Sequence, residues 1–234
     1  MMAARRPIFF FSLRSPYSWL AWHDLKTRYP KLLKRLQLAP FWEPDEHNQS
    51  RLGERGDAFL YGTMSREKHL YILSDIKRLS LQRGLTVRWP IDTDPHWEVP
   101  HLAYLAAAAA DKGPEFIDAA CRLRWQEGVD ICDPQTLAAL APSLDLPSGL
   151  LADAHASSEL RELGVAALHE CIDAHAFGVP FFAVGRERYW GLDRLPDFIG
   201  ALAEAGAPTE AFIPGPALIG AATNAIFDHA GGCG

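Results

Sequence analysis

The segment PIFFFSLRSPYSWLA, residues 7–21, decides the fold of this chain. Pro7 to Phe11 is a compact run of β-forming residues, too short for a helix, which predicts a buried strand. Ser12 to Ser15 breaks that run, and Pro16 then opens a helical spacing of apolar residues that ends before Pro30. A buried strand therefore turns directly into a helix at a serine.

The rest of the chain alternates between strand-like and helical patterns. Gln37 to Trp42 predicts a second strand, which Pro40 places at an edge of the sheet or at a bulge. Glu43 to Thr63 is polar and interrupted by glycines, and we expect a long irregular connection there. A mostly helical block is then expected over Val99 to His175. Two strands follow it, at Phe181 to Val184 and Arg188 to Trp190, and a closing helix is expected over Asp193 to Ala205.

This order of elements predicts an α/β fold. The order is strand, helix, strand, helical block, strand, strand, helix. Once the helical block is set aside, this order leaves a mixed sheet with helices on its faces. That arrangement is a thioredoxin-like core with a large helical insertion. We assign residues 1–65 and 176–234 to the core and residues 66–175 to the helical insertion.

Composition excludes several classes of function. The 234 residues carry a net charge of −6 with no basic stripe, so we expect no nucleic-acid partner. No apolar run approaches the roughly 20 residues that cross a bilayer, so we expect no membrane span and a cytoplasmic location. The four cysteines are widely spaced without a C-x-x-C, which argues against a metal site or a redox dithiol. We expect Cys121 and Cys171 to be buried and Cys233 to be exposed.

The turn at Ser15 has two interpretations. Serine is a favoured N-cap and proline a favoured first helical residue, so Ser15-Pro16 is a sound helix start by itself. A helix N-terminus also stabilises an anion, and a thiolate is such an anion. The Ser15 hydroxyl would then donate a hydrogen bond to a thiolate brought by a cofactor. Arg14 adds positive charge beside it.

Residues 9–21 resemble the start of the 2-hydroxychromene-2-carboxylate isomerases and kappa-class glutathione transferases, in the DsbA-like branch of the thioredoxin fold. The resemblance implies that Ser15 takes the place of the first redox cysteine and contacts the sulfur of glutathione. Gly178-Val179-Pro180 is similar to the cis-proline loop of these families. By that likeness Val179 and Pro180 bind the γ-glutamyl-cysteinyl part of glutathione.

Two further segments carry the resemblance. Tyr189 to Leu195 is similar to the family's W/F-G-x-D-R-L/M motif, which implies that Leu192, Asp193 and Arg194 bind the γ-glutamyl end of glutathione. By its own sequence Asp193 is also a good N-cap for the closing helix. Lys68 resembles a lysine that reaches the glycine carboxylate of glutathione, although a lysine on a helix also suits a solvated face.

The resemblance implies a glutathione-dependent isomerase acting on a small electrophilic substrate, a conjugated unsaturated carboxylate. Arg14 would hold either the thiolate or a substrate carboxylate, and Tyr17 would line the substrate site. The cofactor is glutathione or another low-molecular-weight thiol. Two alternatives stay open: a transferase that releases the conjugate, and a non-catalytic binding module. A disulfide oxidoreductase is disfavoured because the dithiol is absent, and a homodimer is compatible with this reading.

Overall fold

The computed structural model describes residues 6–59, 62 and 64–204. Within them, four strands form one mixed sheet in the order β2-β1-β3-β4. β1 runs parallel to β2 and antiparallel to β3, and β3 runs antiparallel to β4. The strands are β1 (Ile8–Phe11), β2 (Gln37–Pro40), β3 (Phe181–Val184) and β4 (Glu187–Trp190). The predicted edge position of Pro40 is confirmed, because β2 is an edge strand.

The helices lie on both faces of this sheet and in a block between β2 and β3. Ten α-helices occur in the described part of the chain: α1 (Pro16–Arg28), α2 (Pro30–Leu33), α3 (Glu46–Glu54), α4 (Arg66–Leu81), α5 (Glu98–Ala109), α6 (Gly113–Cys121), α7 (Pro134–Leu140), α8 (Ser148–Ala152), α9 (Ser158–Asp173) and α10 (Leu195–Glu204). A π-helical turn, Arg122–Glu127, follows α6. Among these helices none is long and apolar enough to cross a membrane.

The aromatic run of β1 is buried on both faces of the sheet. Phe9 stacks on Phe182 of β3 with 5.0 Å between ring centroids, and Phe182 stacks in turn on Phe198 of α10. Phe10 lies on the other face, edge-on to Phe181. A strand covered on both faces needs consecutive apolar residues, and each fully buried phenylalanine stabilises the fold by about 1.5–3 kcal/mol. The predicted α/β thioredoxin-like fold with a helical insertion is therefore confirmed.

The helical insertion shares its hydrophobic core with the sheet. Phe11 of β1 lies edge-on to Tyr104 of α5, with 5.0 Å between ring centroids. Tyr104 packs in turn near Phe116 of α6, and its hydroxyl donates to the carbonyl of Leu38 in β2. The division into a core and an insertion at residues 66–175 stays a prediction, since one continuous apolar cluster spans both parts.

The expected irregular connection over 43–63 contains a helix, α3, so that expectation was wrong over residues 46–54. Asp45 caps this helix by accepting from the backbone N–H of Asn48 at 2.8 Å. The helix is hard to see in the sequence because it buries only Asn48 and Leu52, too few positions to show a period. The buried carboxyl group of Glu98 anchors it, accepting from the backbone N–H of Asp45 and, at 3.5 Å, from the side chain of Asn48.

The predicted closing helix also needs correction at its start. Residues Leu192–Arg194 form a 3-10 turn, and the regular helix α10 runs over Leu195–Glu204. Gly191, not Asp193, occupies the position before the turn, so the prediction of Asp193 as N-cap was wrong.

A buried ion pair joins α1 to the end of α4. Arg83 donates through two guanidinium nitrogens to the two oxygens of Asp24, at 2.9 and 2.7 Å. The side chains of Arg83 and Asp24 are only 9% and 6% exposed. Breaking a pair at such a depth leaves a charge buried without compensation.

We expect Arg83→Met to lower the free energy of unfolding by about 3 kcal/mol, because it leaves the Asp24 carboxylate buried without its partner. Arg122→Met is the matched control: it breaks the exposed pair of Arg122 with Glu127 and should cost under about 0.5 kcal/mol. Urea unfolding at neutral pH measures both. Equal losses in the two variants would contradict this prediction.

Glu98 predicts a pH dependence of stability. Burial raises the pKa of this carboxyl above its usual value, against the opposing effect of its hydrogen bonds. A raised pKa in the folded state means that the stability is fully present below the unfolded pKa of about 4.3 and is lost as pH rises through the folded pKa. Glu98→Gln removes this titration while keeping an acceptor oxygen. We therefore expect the variant to gain stability relative to the wild type as pH rises from 4 towards neutrality, measured by urea unfolding across pH. A difference that does not change with pH would contradict it.

Candidate functional site

Ser15 is the N-cap of α1 and makes two hydrogen bonds through its hydroxyl. The oxygen accepts from the backbone N–H of Ser18 at 3.2 Å, and the O–H donates to the backbone carbonyl of Val179 at 3.4 Å. The predicted N-cap is therefore confirmed. Ser15 is 0% exposed, so its hydroxyl is enclosed in this structure.

The hydrogen bond to Val179 brings the serine turn and the 178–180 loop together across 164 residues of sequence. The Val179-Pro180 peptide bond is cis, as the resemblance implies. Val179 is fully buried, and Pro180 is buried beside it. The two backbone segments that the sequence analysis paired thus meet at one point.

The 191–194 segment is tied to the same loop. The backbone N–H of Gly191 donates to the carbonyl of Pro180 at 2.9 Å, and the turn 192–194 contacts α1. Gly191 has φ +108°, and a Cβ there would lie 2.6 Å from Oδ1 of Asp193, so glycine lets the Asp193 carboxylate fold back over the backbone. The side chain of Leu192 is half-buried against the core and carries no polar group that could bind a ligand.

Asp193 and Arg194 keep their charged groups at the surface. Their side chains are 70% and 56% exposed, and Arg194 lies 3.8 Å from Asp193 and 3.4 Å from Asp197. These are loose surface pairs, which a ligand can replace at little cost. The structure therefore places both residues beside the loop with accessible charges.

Tyr17 links α1 to α4, and Lys68 lies in the first turn of α4. The hydroxyl of Tyr17 donates to Oδ2 of Asp75 at 2.8 Å, and Tyr17 is only 6% exposed. Its role in lining a substrate site stays a prediction, and its place here is a link between the two helices. Lys68 is half-buried and precedes Asp75 by two helical turns, on the face of α4 that includes buried Ile72 and Ile76.

Arg14 lies in a cluster of guanidinium and indole groups next to Ser15. It donates to Glu43 at 3.3 Å, and its guanidinium carbon lies 5.5 Å from the ring centroid of Trp97. Arg124 lies 4.8 Å from the same ring and donates through two nitrogens to Asp92, at 2.8 and 2.7 Å. The Arg14 side chain is 29% exposed and that of Arg124 only 3%, so Arg14 is the accessible cation of the cluster.

His101 is the residue that the sequence analysis missed at this turn. It is fully buried in α5, and its Nε2 lies 3.1 Å from the backbone nitrogen of Leu13 and 3.3 Å from Oγ of Ser12. Burial lowers the pKa of His101 to about 3, so the imidazole is neutral. The sequence signal was a single histidine in the otherwise apolar stretch of α5, which is an ordinary position for a core residue.

The cysteines of the described residues do not supply a reactive thiol. Cys121, Cys132 and Cys171 are free and buried, which confirms the expectation for Cys121 and Cys171. Burial raises the pKa of Cys132 to about 12 and raises the pKa of the other two still further. Cys233 lies outside the described residues. No group of three or more histidine, cysteine, aspartate or glutamate side chains in the described part of the chain is placed to hold a metal.

A cavity of about 820 Å³ lies away from this site. Ile8 at the start of β1 lines it, whereas Ser15 follows the end of β1. Several of its charged lining groups pair with one another or with neighbours, as Arg55 does with Asp173 and His169 with Asp57. The cavity therefore does not coincide with the predicted thiol site.

Known proteins share the fold described above. The family model of the DSBA-like thioredoxin domain matches residues 8–203. A 2-hydroxychromene-2-carboxylate isomerase structure superposes with a TM-score of 0.67 at 21% identity, over 86% of this chain and 95% of the other. A probable DsbA oxidoreductase from Streptomyces coelicolor gives a TM-score of 0.63 at 17% identity, over 86% and 89% of the two chains.

A third structure, the cytosolic disulfide reductase DsbM from Pseudomonas aeruginosa with GSH, gives a TM-score of 0.56 at 20% identity, over 86% of this chain and 98% of that one. No curated protein matches by sequence. At these identities the structural likenesses show the fold, whereas the family model spans most of the sequence. The chain therefore belongs to the family of DSBA-like thioredoxin domains.

Proposed function

We propose that this protein is a glutathione-dependent isomerase of a conjugated unsaturated carboxylate. The observation that carries the proposal is the hydrogen bond from the Ser15 hydroxyl to the carbonyl of Val179. It puts a hydroxyl donor, a helix N-terminus and the backbone of the cis-proline loop at one point. Ser15 and Ser18 have the spacing of a C-x-x-C motif, and the described cysteines are buried and unreactive.

The donor set around Ser15 fits a thiol tripeptide. A backbone carbonyl, that of Val179, suits the cysteinyl N–H, and the exposed carboxylate of Asp193 suits an α-ammonium group. Lys68, in the first turn of α4, carries the opposite charge and would suit a carboxylate. When bound, glutathione supplies a thiolate that adds to an electron-poor double bond, lets the resulting single bond rotate or a hemiketal ring open, and leaves by elimination unchanged.

Ser15 acts in this proposal as a hydrogen-bond donor. Its oxygen is bonded to backbone groups of Ser18 and Val179, and the nearby His101 is paired with Ser12 instead. Without a base on its hydroxyl, serine is a weak nucleophile. Its O–H can instead turn from the Val179 carbonyl to a sulfur, while a cysteinyl N–H takes its place on that carbonyl. Because Ser15 is fully buried here, binding must also uncover it.

The Arg14 and Trp97 pair supports an acidic, flat substrate. Arg14 lies one residue from Ser15, is partly exposed, and pairs with the exposed carboxylate of Glu43. A substrate carboxylate can replace Glu43 on the guanidinium with the same charge-assisted hydrogen bond.

A cytoplasmic location is part of the proposal, because a reduced thiol pool is kept there and the DsbM relative is described as cytosolic.

We expect Ser15→Ala to reduce isomerase activity with glutathione by about tenfold to a hundredfold, because the sulfur loses its donor. Ser80→Ala is the control: it removes a similarly buried hydroxyl that lies in α4 and donates to the carbonyl of Lys77 instead of the serine turn. Activity is followed by the absorbance of a conjugated enone acid, with free thiol titrated in parallel. Stoichiometric loss of thiol would contradict the isomerase and favour the transferase. Unchanged activity and thiol affinity in Ser15→Ala would favour a non-catalytic binding module.

We expect Asp193→Asn to weaken glutathione binding by about fivefold, the factor that about 1 kcal/mol of an exposed charge pair represents. Asp197→Asn is the control, because Asp197 is similarly exposed and also lies against Arg194. Isothermal titration with glutathione compares the two. An equal loss of affinity in both variants would mean that surface charge in general, and not Asp193, attracts the ligand.

A further inference from the structure

His101 is held in one orientation by groups on every side. Trp42 lies parallel to its ring with 5.2 Å between centroids, and Trp97 lies at a steep angle at 6.3 Å. Its Nδ1 lies 2.7 Å from the carbonyl oxygen of Trp97. The imidazole therefore cannot turn without losing a stacking contact and a buried hydrogen bond together.

The backbone fixes the tautomer of this imidazole. The carbonyl of Trp97 can only accept, so Nδ1 carries the hydrogen and donates it. The N–H of Leu13 can only donate, so Nε2 carries none and accepts. The charged groups that face the ring, Arg14 and Arg124, also disfavour a second proton. His101 is thus a neutral, fixed hydrogen-bond acceptor rather than a base.

Ser12 connects this acceptor to Ser15. The Ser12 hydroxyl lies 3.3 Å from Nε2 of His101 and accepts from the backbone N–H of Arg14 at 3.3 Å. The Ser12 carbonyl accepts from the backbone N–H of Ser15 at 3.1 Å, and the Ser12 N–H donates to the hydroxyl of Ser18 at 3.2 Å. One residue therefore links the imidazole to the backbone on both sides of the serine turn.

We propose that His101 is a positioning residue for Ser15: its imidazole holds Ser12 and Leu13, and through them sets the Ser15 hydroxyl at the point where a bound thiol needs its donor. This inference rests on the proposed function, because the position of the Ser15 hydroxyl matters only if a thiol binds there. A histidine that only filled the core would pack equally well without an acceptor aimed at the turn. The role of His101 is distinct from that of the cluster around Arg14, which meets the substrate.

Two substitutions at His101 test the proposal. His101→Leu removes the acceptor, whereas His101→Gln puts an amide oxygen close to the place of Nε2. Tyr104→Phe is the matched control, because Tyr104 lies one turn further along α5, is buried, and gives its hydrogen bond to Leu38 of β2 instead of the serine turn. Urea unfolding of all three variants identifies any that does not fold.

Without any thiol, amide hydrogen exchange at Leu13 and Arg14 reports whether the turn is held. We expect exchange to be about tenfold faster in His101→Leu, the factor for one lost hydrogen bond of about 1.4 kcal/mol, and close to wild type in His101→Gln and Tyr104→Phe. Unchanged exchange in a folded His101→Leu would overturn the proposal.

With glutathione, the dissociation constant and the ultraviolet absorbance of the bound thiolate report the position of Ser15. We expect His101→Leu to bind about tenfold more weakly with a smaller thiolate fraction at fixed pH, with partial recovery in His101→Gln. Wild-type affinity and thiolate fraction in His101→Leu would overturn the role of His101 alone. A wild-type protein that binds no thiol would instead overturn the proposed function.

Discussion

The antiparallel pairing of β1 with β3 is the constraint on which the site depends. With Phe10 opposite Phe181, the end of β1 lies beside the start of β3. The turn after β1 carries Ser15, and the loop before β3 carries Val179 and Pro180. The hydrogen bond between them is therefore a consequence of strand register, and a shift of one residue would reverse every side chain of β1 across the sheet.

The helical block contributes to the same site although it lies far away in the sequence. α5 enters the core with Tyr104 against Phe11, and that packing brings His101 under the Ser12-Leu13 backbone. α4 is joined to α1 by the hydroxyl of Tyr17 and by the buried pair of Arg83 with Asp24. The insertion is thus a structural support for the serine turn as well as a covering layer.

Charge around the turn is arranged in pairs of unequal exposure. Arg124 is buried and paired with Asp92, whereas Arg14 is partly exposed and pairs with the surface carboxylate of Glu43. Asp193 and Arg194 show the same loose pairing on the other side of the cis-proline loop. Exposed pairs of this kind contribute little to stability, so their charges are the more easily available ones around the turn.

The sequence by itself determined the strands and the helix start at Ser15-Pro16, because these rest on local periodicity and turn chemistry. The pairing of the three motifs came from the resemblance to a known family. The sequence also determined that the described cysteines lack a C-x-x-C partner. Helix α3 was not predicted from the sequence, because Asn48 and Leu52 give no hydrophobic period and the anchoring residue, Glu98, lies 50 residues away from Asn48. Only the tertiary structure decided that Ser15 is fully enclosed, that Tyr17 bonds to Asp75, and that His101 accepts from the backbone N–H of Leu13. The physical reason is that burial and long-range hydrogen bonds arise from the packing of distant segments, which no local pattern of residues records.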